Sequence, residues 1–200
     1  MWRENRAAFS VLVQEEIMEK VVVIYDSKYG STERYARWIA EELSCPLKKR
    51  AEAGKDDLKN YDVIVYGGGL YAGGVSGIRL LTGSDKLLEN KKVILFTCGL
   101  ADPSDPENVK HIRESLGKVL TPDMMERFRI FHLRGGIDYG KLSLVHRSMM
   151  GMLVRMMKKK DPSELGEEDR EILRTYGGTV DFVNLETARP VIECAREAAV

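Results

Sequence analysis

Residues 21–32 read VVVIYDSKYGST, and this stretch decides the fold class. The run Val21–Tyr25 is short, apolar and rich in β-branched side chains, which is typical of a strand buried on both faces of a parallel sheet. A polar turn with a single glycine follows it. Apolar side chains then recur at the spacing of one helical face, at Ala36, Ile39, Ala40 and Leu43. The stretch therefore predicts a strand, a turn and a helix in immediate succession.

The same alternation continues along the chain. Further strands are predicted near Pro46–Arg50 and at Asp62–Tyr66, Lys92–Phe96 and Phe128–Leu133. Helices are predicted at Ile78–Leu88 (interrupted at Gly83), Pro106–Leu120, Leu142–Lys160, Ser163–Tyr176 and Pro190–Ala199. Strands that alternate with helices imply βαβ units, parallel pairing and right-handed crossovers. We therefore predict an α/β, doubly wound fold, in which ligands bind beyond the carboxyl ends of the strands at the switch in strand order.

Length and charge narrow the class of protein. A chain of 200 residues suits one domain with a sizeable core, and its 31 basic and 31 acidic residues balance. The chain therefore has no excess of positive charge that would favour nucleic acid as a partner. No apolar run approaches the roughly 20 residues needed to span a bilayer. The sequence predicts a single globular domain without a membrane-spanning segment.

The cysteines and histidines are scattered. Cys45, Cys98 and Cys194 are odd in number and form no CxxC pair, which is typical of free thiols in a reducing cytoplasm. The histidines at 111, 132 and 146 are interpreted as structural or solvated, because nothing brings four ligands to a workable spacing. We expect a cytoplasmic protein without a metal site.

The first 17 residues differ from the rest. They carry charges on both sides of the apolar stretch Ala7–Val13, unlike a signal peptide. We interpret residues 1–17 as an N-terminal extension, either an accessory helix or an artefact of start-codon choice, and residues 18–200 as the domain itself.

The loop after the first strand favours phosphate binding. A helix start offers unpaired N–H groups and a positive dipole end, the hydroxyls of Ser27, Ser31 and Thr32 add donors, and Gly30 allows close approach. The loop lacks the glycine pattern of a Walker loop or a dinucleotide fingerprint. An ordinary turn in which Ser or Thr caps the helix is the alternative.

Two more loops follow the third and fourth strands. The segment 67–74 contains five glycines, which suits a main chain that lies against a flat ligand, with Tyr71 stacked on an aromatic ring. A flexible surface loop is the alternative. The segment 97–102 supplies small residues and backbone donors. Within it, Cys98 is interpreted as a packing residue rather than a nucleophile, because no histidine lies near it in sequence.

With these loops, residues 20–135 resemble the flavodoxin family, and the most specific motif is Ser27-x-x-Gly30-x-Thr32. The resemblance implies a five-stranded parallel sheet in the order 2-1-3-4-5, helices on both faces, and noncovalent FMN as the cofactor. It assigns Ser27, Lys28, Tyr29, Gly30, Ser31 and Thr32 to the phosphate. It assigns the ring to Gly68, Gly69, Leu70, Tyr71, Ala72 and Gly73 on one loop and to Thr97, Cys98, Gly99 and Leu100 on the other. No catalytic side chain is assigned beyond the flavin.

Further along, the chain is similar to the menaquinone-dependent protoporphyrinogen IX dehydrogenases. The similar residues are Phe131–Gly136, Tyr139 and the Met-rich helix Leu144–Lys160; the segment Tyr71–Gly74 departs from the pattern of those enzymes. The resemblance implies an enzyme of haem synthesis that oxidises a small substrate and passes electrons to a quinone. The alternative is a non-enzymatic electron carrier that docks to redox partner proteins. Balanced charge and the basic, Met-rich helix favour the enzyme.

The segment Leu144–Lys160 has its own alternatives. Methionines suit surfaces that accept varied apolar partners, and three lysines follow them at 158–160. A quinone, a porphyrin or peripheral contact with the inner face of a membrane would fit this pattern. A core or dimer helix with a solvated basic end is the simpler interpretation.

Overall fold

The structure is a computed structural model that describes residues 20–71 and 74–200. The predicted extension at residues 1–17 lies outside the described residues, so the division of the chain at residue 18 stays a prediction. The strands are β1 (Val21–Asp26), β2 (Leu47–Lys49), β3 (Val63–Tyr71), β4 (Gly74–Val75), β5 (Lys92–Gly99), β6 (Arg129–Arg134), β7 (Gly136–Asp138) and β8 (Thr179–Asp181). The helices are α1 (Ser31–Leu43), α2 (Arg79–Thr82), α3 (Asp85–Leu88), α4 (Pro106–Leu116), α5 (Pro122–Arg127), α6 (Leu144–Met157), α7 (Glu167–Thr175) and α8 (Arg189–Ala199).

The predicted doubly wound sheet is confirmed. Five parallel strands lie in the order β2-β1-β3-β5-β6, which is 2-1-3-4-5 when only the parallel strands are counted. Alternate residues of β1 enter two separate cores: Val21, Val23 and Tyr25 face α1 and α8, and Val22 and Ile24 face the helices α2 to α5. Helices therefore cover both faces. The order reverses between β1 and β3, so the carboxyl ends of these strands form the switch point.

The third strand is longer than predicted. β3 does not end at the glycines but runs through them to Tyr71, and Leu70 and Tyr71 pair antiparallel with β4. A Cβ on Gly67 would lie 2.2 Å from Cζ of Phe96, and one on Gly69 would lie 2.7 Å from the Tyr71 ring. Because Gly67 and Gly69 have no Cβ, these two rings can pack directly against the backbone of β3. Aromatic rings of the protein itself therefore account for two of the glycines.

Helix bounds also differ in places. The predicted helix Pro106–Leu120 ends earlier, at Leu116, where Gly117 follows α4. A separate helix that was not predicted, α5, begins after Thr121, whose side chain caps it by accepting from the Met124 amide. Ser143 likewise caps α6, so that helix begins at Leu144. The antiparallel ribbon of β7 and β8 was not predicted. Its strands have three residues each and lie 40 residues apart, so neither carries a recognisable period.

Within residues 20–71 and 74–200, no helix combines the length and apolar character that crossing a bilayer requires.

Candidate functional site

A cavity of about 380 Å³ lies beyond the carboxyl ends of β1, β3 and β5. Three of its walls are formed by the loops after β1, β3 and β5, which were predicted to bind the ligand, and the fourth is formed by α6. None of the described side chains that line it is acidic, lysine or arginine. They are Tyr29, Ser31, Thr32, Leu70, Tyr71, Cys98, Gly99, Leu100, Gly135, Gly136, Ile137, Leu142, His146, Met149, Met150 and Leu153. The cavity therefore suits a largely uncharged, flat or apolar ligand.

The first loop turns sharply into α1. Gly30 has a φ of 96°, in the left-handed region that favours glycine, and it stands at the N-cap position. No side chain among the described residues caps α1, so the ordinary capped turn, which was the alternative, is not what forms. Instead, Ser27 Oγ accepts from the Gly30 amide at 3.1 Å. The start of α1 is left with the unpaired N–H groups and positive dipole end that attract anions.

The six residues predicted to bind phosphate divide into two sets. Tyr29, Ser31 and Thr32 line the cavity, whereas Ser27, Lys28 and Gly30 form the turn behind it. Ser31 Oγ accepts from the Gly136 amide at 3.1 Å, which joins the first loop to the ribbon. The Lys28 amide donates to Tyr71 Oη at 3.1 Å. The first and second loops are thus in direct contact.

In the second loop, Leu70 and Tyr71 line the cavity, and Gly68 and Gly69 are buried in β3. Ala72 and Gly73 lie outside the described residues. The Tyr71 ring stacks on His146, with centroids 5.6 Å apart and planes at 23°. Burial raises the pKa of Tyr71 above its usual value. Tyr71 is therefore a neutral aromatic wall at physiological pH.

In the third loop, Cys98, Gly99 and Leu100 line the cavity, but Thr97 does not. Thr97 is fully buried on the opposite face of β5, where its hydroxyl bonds Nδ1 of His132 at 2.8 Å. Burial raises the pKa of the Cys98 thiol to about 12. A thiol with that pKa stays protonated near neutral pH, which supports packing rather than nucleophilic attack.

Sequence reasoning missed the residues of the fourth wall. His146 is the most informative of them, because Tyr29 Oη bonds its Nδ1 at 2.7 Å and the Ser143 amide contacts the same hydroxyl at 3.3 Å. These bonds fasten the start of α6 to the first loop. Met149, Met150 and Leu153 extend the wall along α6. Only the unusual methionine content of this segment hinted at a role, and it did not indicate the cavity.

Arg134, at the end of β6, secures the third loop from behind. Its Nε donates to the Leu100 carbonyl at 3.1 Å, and its Nη1 donates to Asp102 at 2.9 Å. Nη2 bonds Glu171 of α7, and the guanidinium carbon lies 3.8 Å from the centroid of the Phe182 ring. One side chain therefore connects the loop after β5, α7 and the segment after β8.

Comparison with known protein families identifies one whose model matches most of this chain. The model of the flavodoxin domain family matches residues 22–164. No sequence among curated proteins matches the chain.

Solved structures with similar folds have low identity to this chain. Flavodoxin 1 of Bacillus cereus is 18% identical with a TM-score of 0.40, over 57% of this chain and 83% of that one. A flavoprotein of Lactobacillus acidophilus in complex with FMN is 15% identical with a TM-score of 0.39, over 58% and 92%. The apo form of an NADH:FMN oxidoreductase is 12% identical with a TM-score of 0.42, over 57% and 73%. The match to the family model, rather than these likenesses, assigns the chain.

Proposed function

The chain belongs to the flavodoxin domain family, and from that premise we propose that it binds FMN noncovalently in the cavity and works as an FMN-dependent oxidoreductase. One observation carries the proposal. The loops after β1, β3 and β5, which are far apart in sequence, meet around a single cavity of about 380 Å³ at the switch point of the sheet. Ligand sites of open α/β sheets are found at this position.

The residues present fit the cofactor. The uncapped start of α1, with Gly30 in a left-handed conformation, would hold the phosphate through backbone N–H groups. The small surface of Cys98 and Gly99 and the ring of Tyr71 would lie against the flavin ring system. FMN, when bound, supplies transfer of one or two electrons, and the protein supplies binding, orientation and exclusion of water.

The fourth wall supports a proposal for the class of substrate. Met149, Met150 and Leu153 make that side of the cavity apolar and adaptable. We propose a large and mainly apolar substrate, specifically protoporphyrinogen IX, with a quinone as the final electron acceptor. The resemblance of Phe131–Gly136, Tyr139 and the Met-rich helix to the menaquinone-dependent protoporphyrinogen IX dehydrogenases supports this choice.

His146 is the side chain that fits proton transfer in this reaction. Dehydrogenation releases protons as well as electrons, and a base beside the substrate accelerates it. Burial raises the pKa of both Cys98 and Tyr71, so neither is a base near neutral pH. His146 is the one imidazole among the described residues of the lining, and histidine is the side chain that most often transfers protons in enzymes.

The first test is the absorption spectrum of freshly purified protein, followed by titration with FMN. We expect flavin bands in the purified protein, or saturable FMN binding that raises the melting temperature. Colourless protein whose melting temperature does not respond to FMN would refute cofactor binding.

The second test is an anaerobic assay with protoporphyrinogen IX and a menaquinone analogue. We expect turnover that the variant His146→Gln slows, because glutamine cannot accept the proton that leaves the substrate. Flavin-loaded protein that gives no turnover but reduces a partner protein would favour the electron carrier.

A further inference from the structure

Apolar side chains on α6 face solvent as well as the cavity. Of nine large apolar side chains that are exposed in the described part of the chain, six belong to α6, from Leu153 at 37% to Leu144 at 83%. Val145, Met149, Met152 and Met156 recur at i, i+4, i+7 and i+11, which places them in one row along the helix. We call these four residues the α6 stripe.

The stripe is distinct from the side of α6 that packs on the protein. Val154 and Met157 are buried against Ile172 of α7. Met149 lies at the boundary, because it lines the cavity and is also 44% exposed. Apolar residues thus cover more than half of the helix circumference, and the protein occupies only part of it. Contiguous exposed apolar surface of this kind marks a site of interaction.

The charged side chains of α6 itself are all basic. α6 contains no acidic residue, and Arg155, Lys158 and Lys159 are exposed on the helix and directly after its end. The acidic groups that follow bond within their own turn: Asp161 accepts from the Ser163 amide, and the Glu164 side chain accepts from the Asp161 amide. An apolar row beside basic side chains complements an interface where phosphates overlie acyl chains.

We propose that α6 binds the surface of an anionic lipid bilayer. The helix lies in the plane of the surface, the α6 stripe enters the boundary between headgroups and acyl chains, and Arg155, Lys158 and Lys159 contact lipid phosphates. Fourteen residues give a helix about 21 Å long, which lies along a bilayer rather than across it. Methionine side chains suit an irregular lipid environment because they are flexible and unbranched. This proposal does not depend on the flavin.

The test is sedimentation of the full-length protein with vesicles of phosphatidylcholine alone or with 30% phosphatidylglycerol. We expect binding to the anionic vesicles, at least tenfold weaker binding to the neutral ones, and release by 0.5 M NaCl, since salt screens the phosphate contacts. Met152→Glu and Met156→Glu should each weaken binding at least tenfold. Val119→Glu is the matched control, because Val119 is 42% exposed but lies away from α6; it should bind like the wild type.

A charge reversal separates the contribution of the basic side chains from that of the apolar α6 stripe. Lys158→Glu combined with Lys159→Glu should lower binding to anionic vesicles, while the paired control Lys118→Glu with Lys110→Glu should not. Analytical ultracentrifugation of the same variants tests whether the stripe instead binds a second copy of the chain. Full-length protein that stays in the supernatant, or that binds equally well with Met152→Glu and Met156→Glu, overturns the proposal. A dimer that either of these variants dissociates assigns the stripe to a second copy of the chain and overturns it as well.

Discussion

His132 is a half-buried imidazole, and one of its two ring nitrogens lacks a hydrogen-bond partner among the described residues. Its Nδ1 bonds the Thr97 hydroxyl, while its buried Nε2 has no hydrogen-bond partner among the described residues. Burial, and then the positive charge of Arg113, lower the pKa of His132 from 6.5 to about 4. The folded protein therefore holds this ring neutral at a pH where the unfolded chain already binds a proton.

This difference predicts a loss of stability in mild acid. Because the unfolded state binds more protons between pH 6.5 and 4, the free energy of unfolding falls as the pH is lowered through that window. Allowing for the partial exposure of the ring, we expect His132 to contribute roughly 1–2 kcal/mol of this fall. His132→Gln should flatten the pH dependence measured by urea denaturation, and His111→Gln, at an exposed site on α4, should not. Parallel curves for the wild type and His132→Gln would contradict the lowered pKa.

Gly67 shows why a glycine-rich segment can be structural. A Cβ at this position would lie 2.2 Å from Cζ of Phe96, whose ring is fully buried. Gly67→Ala should lower the free energy of unfolding by roughly 1–3 kcal/mol, because the ring has no space to move into. Gly54→Ala is the control, since its Cβ would meet nothing closer than 3.6 Å, and chemical denaturation compares the two. Equal stabilities would mean that the ring does not lie over β3 as described.

Among the elements, β6, α7 and the loop after β5 depend on one another through Arg134. Its guanidinium is largely buried, and its removal would leave Asp102 without its cation and Glu171 with only the longer pair to Arg174, at 3.8 Å. Arg134→Ala should cost roughly 2–3 kcal/mol of stability, because charged hydrogen bonds and packing on Phe182 are lost together. Denaturant midpoints measure this. Arg37→Ala removes a solvent-exposed pair within α1 and should change the midpoint little; a similar effect of both changes would refute the structural role of Arg134.

Elements with a strong local signal could be predicted, and those that depend on distant partners could not. β1 and α1 follow from a β-branched run and a helical stripe, because both patterns reflect burial on this sheet. The extension of β3 to Tyr71 was missed, since its pairing with β4 and β5 overrides the poor strand propensity of glycine. β7 and β8 are held against α1 by the bond from the Gly136 amide to Ser31 and by the ion pair of Asp181 with Arg34, and contacts between such distant residues leave no local pattern in the sequence.

In the candidate site, too, the features with a local sequence signal could be predicted and those that depend on distant residues could not. Three walls could be predicted, because parallel strands deliver the loops at their carboxyl ends to one edge whatever the side chains are. The Thr97 side chain does not face the cavity, since strand alternation turns it toward His132. The α6 wall could not be predicted. Its position depends on the bond between Tyr29 and His146, which lie 117 residues apart, and on packing against α7.

FMN and riboflavin differ only in the phosphate, so together they test whether the start of α1 binds the phosphate while the rest of the cavity binds the ring system. Ser27 lies behind the cavity, and its Oγ accepts from the Gly30 amide. Ser27→Asp keeps an acceptor for that amide and places a negative charge at the start of α1. We expect the Kd for FMN to rise at least tenfold at low salt, because the carboxylate repels the phosphate. The Kd for riboflavin should change by less than about twofold, because no phosphate is present to be repelled.

Lys118→Gln controls for net charge, because it lowers the charge of the chain by the same amount as Ser27→Asp, and Lys118 follows the end of α4 at the opposite edge of the sheet. Both ligands should bind it like the wild type. The thermal shift given by each ligand supplies an independent measure, because a ligand that binds only the folded protein raises its melting temperature more, at a fixed concentration, the lower its Kd is. Equal losses of FMN and riboflavin affinity in Ser27→Asp would mean that the variant has deformed the cavity. Unchanged affinity for both would mean that the phosphate lies elsewhere than at the start of α1.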